Sequence, residues 1–226
     1  MGDVERLVES LVALFRSNPN FELEGSLGVH TETGYQPGVD FSHFKLLWET
    51  FTKAEGLWSS QHEAKHFATY YYDDNVRGRY GWSPDPNFVK KTSIARVDLI
   101  CPERKFGIRI SVNCEEPCSQ PVNAKARKVR LHERWGFAYK NNWQYDLSKV
   151  AIGTSKATAC KSPITFDIEL ELDRSVLLDV NKTDRQLSES LLCKLLDLLG
   201  RYDSVYNKQV LTLLPYQKNA RLSSHV

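Results

Sequence analysis

The chain has 226 residues, 41% of them hydrophobic, which is enough for the core of one large β-barrel or sandwich domain. Its formal net charge of +2 excludes the strong uniform field typical of many nucleic-acid-binding proteins, so any basic surface must be local. Charges begin at Asp3, no signal-peptide segment is evident, and no stretch approaches the roughly 18 apolar residues of a membrane span. We therefore expect a soluble, intracellular protein that folds as a single domain over residues 1–226.

Three amphipathic helices are predicted from apolar residues at helical spacing. They cover 3–16, capped by Asp3; a second segment through about Ala54, capped by Asp40 or Ser42; and 187–199, ended by Gly200. Period-two patterns predict the strands 21–28, 66–72, 76–80, 88–100, 105–114, 127–139, 143–152 and 164–173, with 210–214 as a possible last strand. Turns or loops are predicted at 34–38, 73–75, 101–104, 122–126 and 141–142.

The five cysteines fit no zinc-binding pattern. Cys114 and Cys118 are close enough in sequence to be metal ligands, but buried thiols in a reducing compartment are the favoured interpretation.

Two strands alternate apolar and acidic residues, which places their carboxylates on one face. Asp167, Glu169 and Glu171 share a face in 164–173, and Glu22 and Glu24 share one in the first strand. If these strands are neighbours, their carboxylates lie about 4.8 Å apart and repel by roughly 3 kcal/mol at an effective dielectric of 20. Such a cluster requires a cation, and oxygen ligands favour Mg²⁺ or Mn²⁺. The alternative is an edge strand with its acidic face in water.

Polar and mostly basic residues follow the same period on the strands between residues 76 and 152, with apolar residues behind them. The rows are Arg77 and Arg79; Arg130, His132 and Arg134; and Arg109, Ser111, Asn113 and Glu115. This pattern predicts a mainly β, α+β fold: a closed antiparallel eight-stranded barrel with a charged lumen, covered in part by helices. An ordinary sandwich with solvated polar faces is the alternative. The interior of an eight-stranded barrel is about wide enough for one extended anion. Its basic rows can neutralise phosphate oxygens, and positioned cations supply most of what phosphoryl transfer needs.

These motifs resemble the triphosphate tunnel metalloenzymes, and more narrowly the RNA 5′-triphosphatases of fungal, protozoan and viral mRNA capping. The two acidic strands are similar to the family's two glutamate-rich motifs, and segments 109–115, 130–137 and 143–150 resemble its middle and basic strands, in the same order. The resemblance covers about residues 20–175. It implies an enzyme that uses Mg²⁺ or Mn²⁺ to remove the γ-phosphate of triphosphate-ended RNA, the first step of cap formation.

The resemblance also implies roles for individual residues. The metal ligands would be Glu22, Glu24 and Glu171. Glu169 or Glu115 would position and activate the attacking water. The phosphates would be held by Arg77, Arg109, Arg130, His132, Arg134 and one of Lys90 or Lys91, with Lys91 favoured. Asp146, and also Asp167, would orient basic side chains through ion pairs.

The chain departs from the family pattern at three positions. His132 stands where the family usually has Lys, and Gln144 where it usually has Arg. Ser26 replaces a Lys on which the branch of thiamine triphosphatases and class IV adenylate cyclases relies, which argues against that branch. Nearby carboxylates and substrate would raise the pKa of His132, whereas the neighbouring arginines would oppose that shift.

Two other functions stay open at this point: a tunnel enzyme acting on tripolyphosphate or free nucleotides, and a barrel that only binds a polyanion. The expected partners are a 5′-triphosphate RNA end and an RNA guanylyltransferase. The expected location is the nucleus in a eukaryote or the cytoplasm for a virus. No membrane association is expected, and the sequence does not define an oligomeric state.

Overall fold

The computed structural model describes residues 2–54, 56–101, 104–179, 181–200 and 212–213. The described residues form four helices: α1 (Asp3–Arg16), α2 (Phe41–Lys53), α3 (Lys156–Ala159) and α4 (Asp184–Leu198). The strands are β1 (Phe21–Thr31), β2 (Gly34–Pro37), β3 (Ser60–Tyr71), β4 (Val76–Tyr80), β5 (Asn87–Ile100), β6 (Gly107–Pro117), β7 (Lys128–Tyr139), β8 (Trp143–Gly153), β9 (Ile164–Leu172) and β10 (Thr212–Leu213). Short 3₁₀ turns occupy Asp73–Asn75 and Arg174–Leu178.

Eight strands close into an antiparallel barrel in the order β1–β6–β5–β4–β3–β7–β8–β9, with β9 pairing back to β1. The predicted eight-stranded barrel is therefore confirmed. Closure leaves no free edge among these eight strands, because β1 pairs with both β6 and β9. The short strands β2 and β10 extend β1 and β5 beyond the barrel.

The apolar core lies outside the barrel, between its outer wall and the helices. Leu23 and Leu27 of β1, and Ile108 and Ile110 of β6, are fully buried there. They pack with the apolar stripes of α1 and α4, which also contact each other. Each such side chain contributes about 1.5–3 kcal/mol on burial. Since strand side chains alternate, this external core directs the polar residues of the same strands into the lumen.

The helix termini follow local side-chain chemistry. Asp40 caps α2 by accepting a hydrogen bond from the backbone of His43, as predicted. The prediction that Asp3 caps α1 is wrong, because Gly2 occupies that position and Asp3 lies in the first turn. Thr183 caps α4, so this helix begins three residues earlier than the apolar pattern indicates. The model's described helices include none long and apolar enough to span a membrane.

One predicted loop and the thiol prediction need correction, and one helix was missed. Residues 34–37 form β2, which pairs with the end of β1, rather than a loop. The short helix α3 was not predicted. The cysteines are not uniformly buried, because Cys101 is buried whereas Cys160 is exposed. Of the possible last strand 210–214, Thr212 and Leu213 pair with β5, and the other residues lie outside the described part of the chain.

Candidate active site in the barrel lumen

The lumen contains a cavity of about 370 Å³, within the usual range of roughly 300–1,000 Å³ for ligand pockets. It is lined by twelve of the thirteen residues that the sequence singled out: Glu22, Glu24, Arg77, Lys91, Arg109, Glu115, Arg130, His132, Arg134, Asp167, Glu169 and Glu171. The thirteenth, Asp146, bonds to Arg134, which itself lines the cavity. The structure thus brings the predicted site residues together from seven strands.

The acidic strands β1 and β9 are neighbours, which is the condition under which the sequence predicts a carboxylate cluster. Glu24 lies opposite Glu171 across β1 and β9, and Glu22 shares its face of β1. Enclosure in the barrel raises the pKa of Glu171 to about 8, and Glu22, Asp146 and Glu24 add to the shift. Burial also raises the pKa of Glu22 to about 7, helped by Glu115 and opposed by Lys91. The carboxylates therefore need additional positive charge to be fully ionised together.

Lys91 lies at the centre of this acidic group. Its ammonium is 2.9 Å from Glu22, 3.2 Å from Glu24 and 3.1 Å from Glu115, and its side chain is only 10% exposed. Burial alone would lower the pKa of Lys91, but the three carboxylates outweigh it and hold that pKa above its ordinary value. Lys90 is exposed on the other face of β5. Of the two lysines, Lys91 is therefore the one that faces the lumen.

The donor set fits a hard divalent cation, because the predicted ligands Glu22, Glu24 and Glu171 are all carboxylates from adjacent strands. Among the described residues, however, no three Asp, Glu, His or Cys side chains converge as a ready-made metal site. Glu22 and Glu24 both bond the ammonium of Lys91, which therefore lies among the proposed ligands.

Two arginines of β7, Arg134 and Arg130, form ion pairs with carboxylates of β8 and β9. Arg134 donates to Asp146 at 2.7 Å, to Glu169 at 3.0 Å and to the hydroxyl of Ser148 at 2.9 Å. Burial would raise the pKa of Glu169, but Arg134 and Arg130 outweigh burial and lower it. Burial likewise opposes ionisation of Glu115, and Lys91 lowers its pKa. Both candidate water-activating groups are therefore carboxylates at neutral pH.

Arg130 forms an ion pair with Asp167 and approaches the hydroxyl of Tyr71 at 3.5 Å. Burial raises the pKa of Asp167 even though Arg130 opposes the shift. Asp167 and Asp146 thus contact arginines, which is the orienting arrangement that the resemblance implied for them.

Arg109 lies in a different setting from the other arginines. Its guanidinium donates twice to Asp98, at 2.6 and 2.8 Å, and lies 4.3 Å from the ring of Tyr35. Asp98 is buried and is the register partner of Arg109 on β5. Sequence reasoning missed Asp98, although its two-residue spacing from Arg96 on a polar row was a usable signal.

Arg77 and Arg79 form no ion pair with a carboxylate within the described ranges. Their charges instead face aromatic rings, Arg77 at 5.1 Å from the ring of Tyr71 and Arg79 at 5.6 Å from Phe67. Arg79 was not predicted as a site residue, although it shares the lumen face with Arg77. Lys128 also lines the cavity, with its ammonium 4.5 Å from the ring of Tyr71. Among the described lining residues, these three cations have charge available for an anion.

His132 is held as a neutral ring. It stacks on Phe67 with 4.4 Å between ring centroids and lies 3.4 Å from the hydroxyl of Thr69. Burial, and then Arg130, Arg134 and Arg79, lower its pKa to about 2. Of the two opposing influences on the pKa of His132 that the sequence left open, the arginines prevail, and burial adds to their effect.

A closed antiparallel barrel with carboxylates and arginines converging in its lumen defines the class of triphosphate-tunnel proteins. The model of the family described as "mRNA capping enzyme, beta chain" matches residues 82–199, which is just over half of the chain. The protein belongs to this family.

A match to an individual relative agrees with the family assignment. The mRNA-capping enzyme subunit beta of Cryptococcus neoformans var. neoformans serotype D is 29% identical over 110 residues. That match covers 48% of this chain and 27% of the relative, so it spans only about a quarter of the relative's length. No function of the whole relative is carried over by this match alone.

Solved structures share the fold. The S. pombe Pct1 RNA triphosphatase has a TM-score of 0.70 at 18% identity, covering 88% of this chain and 93% of that chain. The Mimivirus capping enzyme triphosphatase has a TM-score of 0.60 at 13% identity, covering 89% and 99% of the two chains. Pct1 has also been solved in complex with the Spt5 CTD, with a TM-score of 0.70 at 18% identity and coverage of 88% and 92%.

Proposed function

We propose that this protein is a metal-dependent RNA 5′-triphosphatase that hydrolyses the γ-phosphate of a triphosphate-ended RNA in the first step of cap formation. The observation that carries the proposal is the convergence of the carboxylates of β1 and β9 and the arginines of β4 and β7 on one cavity. Membership of the capping-enzyme beta-chain family supports the choice of RNA as substrate. Residues 1–226 are proposed to form one tunnel domain.

Glu22, Glu24 and Glu171 would hold the metal, and Mg²⁺ and Mn²⁺ are the candidates because both accept carboxylate oxygens. When bound, such an ion offsets the negative charge of phosphate oxygens. Lys91 offsets the mutual repulsion of Glu22, Glu24 and Glu115 through its three ion pairs.

The phosphate-binding role belongs first to Arg77 and Arg79, which carry charge without a carboxylate partner among the described residues. Arg130 and Arg134 are fixed in orientation by Asp167, Asp146 and Glu169. A guanidinium held in this way can stabilise developing charge on the transferred phosphoryl group without reorganising. Arg109 is held by Asp98 and contributes to the shape and charge of the lumen beside Tyr35.

Glu115 or Glu169 would orient the attacking water and accept its proton, because both groups are ionised carboxylates that face the cavity. His132 contributes a neutral ring that lies beside Thr69, rather than the positive charge of the lysine usual at this position. Its ring packs against Phe67 and thereby fills the lumen between Arg130 and Arg134.

An RNA guanylyltransferase is the proposed partner, since a diphosphate RNA end is the product that guanylyl transfer requires. The nucleus of a eukaryote, or the cytoplasm for a viral protein, is the proposed location.

A substrate comparison tests the proposal against its two rivals. We expect phosphate release with a higher kcat/KM from triphosphate-ended RNA than from tripolyphosphate or thiamine triphosphate, and loss of that release in Glu169→Gln. Faster hydrolysis of tripolyphosphate than of RNA would favour the inorganic tripolyphosphatase. Tight binding of all three compounds without hydrolysis would favour a polyanion-binding barrel.

A further inference from the structure

Trp82 is exposed beside the tunnel but connects to its lining through other rings. Its side chain is 37% exposed. The ring of Phe67 lies 4.9 Å away in an edge-to-face arrangement, and Phe67 in turn stacks on His132. Phe67 and His132 both line the lumen cavity. A continuous series of rings therefore runs from solvent to the place proposed for the triphosphate.

The backbone is built to hold Trp82 in this place. Gly81 has a positive φ of 86° and lies against β3, where an added Cβ would be 3.3 Å from the carbonyl oxygen of His66. A residue with a side chain is disfavoured in that conformation. The turn after β4 therefore folds the chain back over β3 and sets the indole of Trp82 against Phe67.

Two cations accompany the exposed indole. The ammonium of Lys65 lies 4.5 Å from the centre of the Trp82 ring, and the guanidinium of Arg79 lies 5.5 Å from it. Neither cation forms an ion pair with a carboxylate in the portion of the chain that the structure describes. An aromatic surface next to uncompensated cations is the arrangement by which proteins bind single-stranded nucleic acid, through base stacking and contacts to phosphate.

We infer that Trp82, Lys65 and Arg79 form a stacking platform for the first nucleotides of the RNA whose triphosphate end enters the lumen. This inference rests on the proposed function and adds a determinant of its specificity. The rings bind a base, and the cations bind the phosphodiester that follows the triphosphate. Tripolyphosphate has neither feature, so the platform favours RNA over inorganic chains.

The test is the ratio of kcat/KM for a triphosphate-ended single-stranded RNA oligonucleotide to kcat/KM for tripolyphosphate. Trp82→Ala should lower this ratio by roughly 5- to 150-fold, the effect of losing one aromatic stacking contact. Trp82→Tyr keeps a stacking face and should restore most of the ratio. Lys65→Gln should lower the ratio less than Trp82→Ala does. Phe41→Ala, which removes a more exposed aromatic ring from α2, is the matched control and should not change the ratio.

The ratio also separates the platform from a structural effect, because Trp82 supports Phe67. Damage to the lumen would lower hydrolysis of both substrates together, and an unchanged ratio in Trp82→Ala would overturn the inference while leaving the proposed function intact. Wild-type protein that releases no phosphate from RNA but does so from tripolyphosphate would overturn the proposed function, and the platform with it.

Discussion

Glu171 lies in the lumen with other carboxylates and forms no ion pair among the residues that the structure describes. Its raised pKa reflects enclosure and the nearby Glu22, Asp146 and Glu24. A group in this position is unfavourable for folding, which agrees with the proposed role of Glu171 as a metal ligand. The same is not true of Glu24, which bonds to Lys91, Ser111 and Asn113.

We predict that Glu171→Gln loses phosphohydrolase activity but is more stable than the parent in a chelator. The expected gain is about 1 kcal/mol, or roughly 2–4 °C in Tm for a domain of this size. Glu24→Gln is the matched control, because it also removes a proposed ligand but breaks an ion pair. It should lose activity without gaining stability. Equal Tm changes in both variants would contradict this distinction.

His132 gives a prediction for pH dependence. Its folded pKa of about 2 lies below its ordinary value of 6.5, so the folded protein binds fewer protons than the unfolded chain between these values. The stabilising contribution of neutral His132 is therefore present above the ordinary pKa and is lost as the pH falls. We expect the ring resonances of His132 to stay those of neutral imidazole from about pH 8 to pH 5.

The matching stability measurement uses His132→Gln. This variant should lose less stability than the parent on acidification over the same pH interval, because it has no imidazole to protonate on unfolding. The opposite outcome is a ring of His132 that titrates near neutrality by NMR, with the parent and His132→Gln losing equal stability on acidification. That result would show that burial and the arginines do not control the charge state of His132.

At the scale of single elements, the acidic strand β1 is fixed from behind by α4. Gly25 lies between Glu24 and Ser26, and a Cβ at that position would be 2.6 and 2.9 Å from the two terminal carbons of Leu195. The helix therefore packs directly on the strand that carries two proposed metal ligands. Close packing of this kind makes substitutions at the two positions interdependent.

We predict that Gly25→Val lowers the free energy of unfolding by about 1–3 kcal/mol through overpacking against Leu195. Leu195→Ala alone should cost roughly 2–5 kcal/mol through the cavity it leaves. The double variant should be more stable than the sum of the two single effects predicts, as measured by urea unfolding. Additive losses would mean that α4 does not pack on Gly25.

Period-two alternation was enough to predict the eight barrel strands, because one face of each strand must be apolar to pack and the other polar to face the lumen. Element ends were less predictable. The end of β1 and all of β2 are stabilised by pairing with each other rather than by a buried apolar face, so residues 34–37 carried the composition of a loop. Thr183 is a polar cap that precedes the apolar stripe of α4, which explains the late predicted start.

The site was predictable for the same reason, since residues on one face of a strand enter the lumen together. What sequence could not provide was the pairing of charged side chains between strands. The ion pair of Arg109 with Asp98 and the contacts of Lys91 with three carboxylates depend on strand register, which no local pattern reveals. The charge state of His132 likewise depends on its burial in the closed barrel and on three arginines from two strands.

At the scale of the whole molecule, tunnel cations divide into paired and unpaired groups, and this division predicts different phenotypes. Arg77→Gln should weaken binding of tripolyphosphate in calorimetry while changing stability by at most about 1 kcal/mol, because its described contact is with the ring of Tyr71. Arg109→Gln should lower stability by roughly 3–5 kcal/mol, because Asp98 then loses its guanidinium partner in a buried place. A similar loss of stability in both variants would contradict the division.

The most direct test of the whole account measures release of labelled phosphate from RNA carrying a labelled γ-phosphate, using the intact 226-residue chain. We expect one labelled phosphate per RNA end in Mg²⁺ or Mn²⁺, a diphosphate-ended product, and no release in a chelator or in Glu24→Gln. Release at the full rate in the chelator, or from Glu24→Gln in the presence of metal, would contradict the claim that the acidic strands of this barrel form a metal-dependent triphosphatase site.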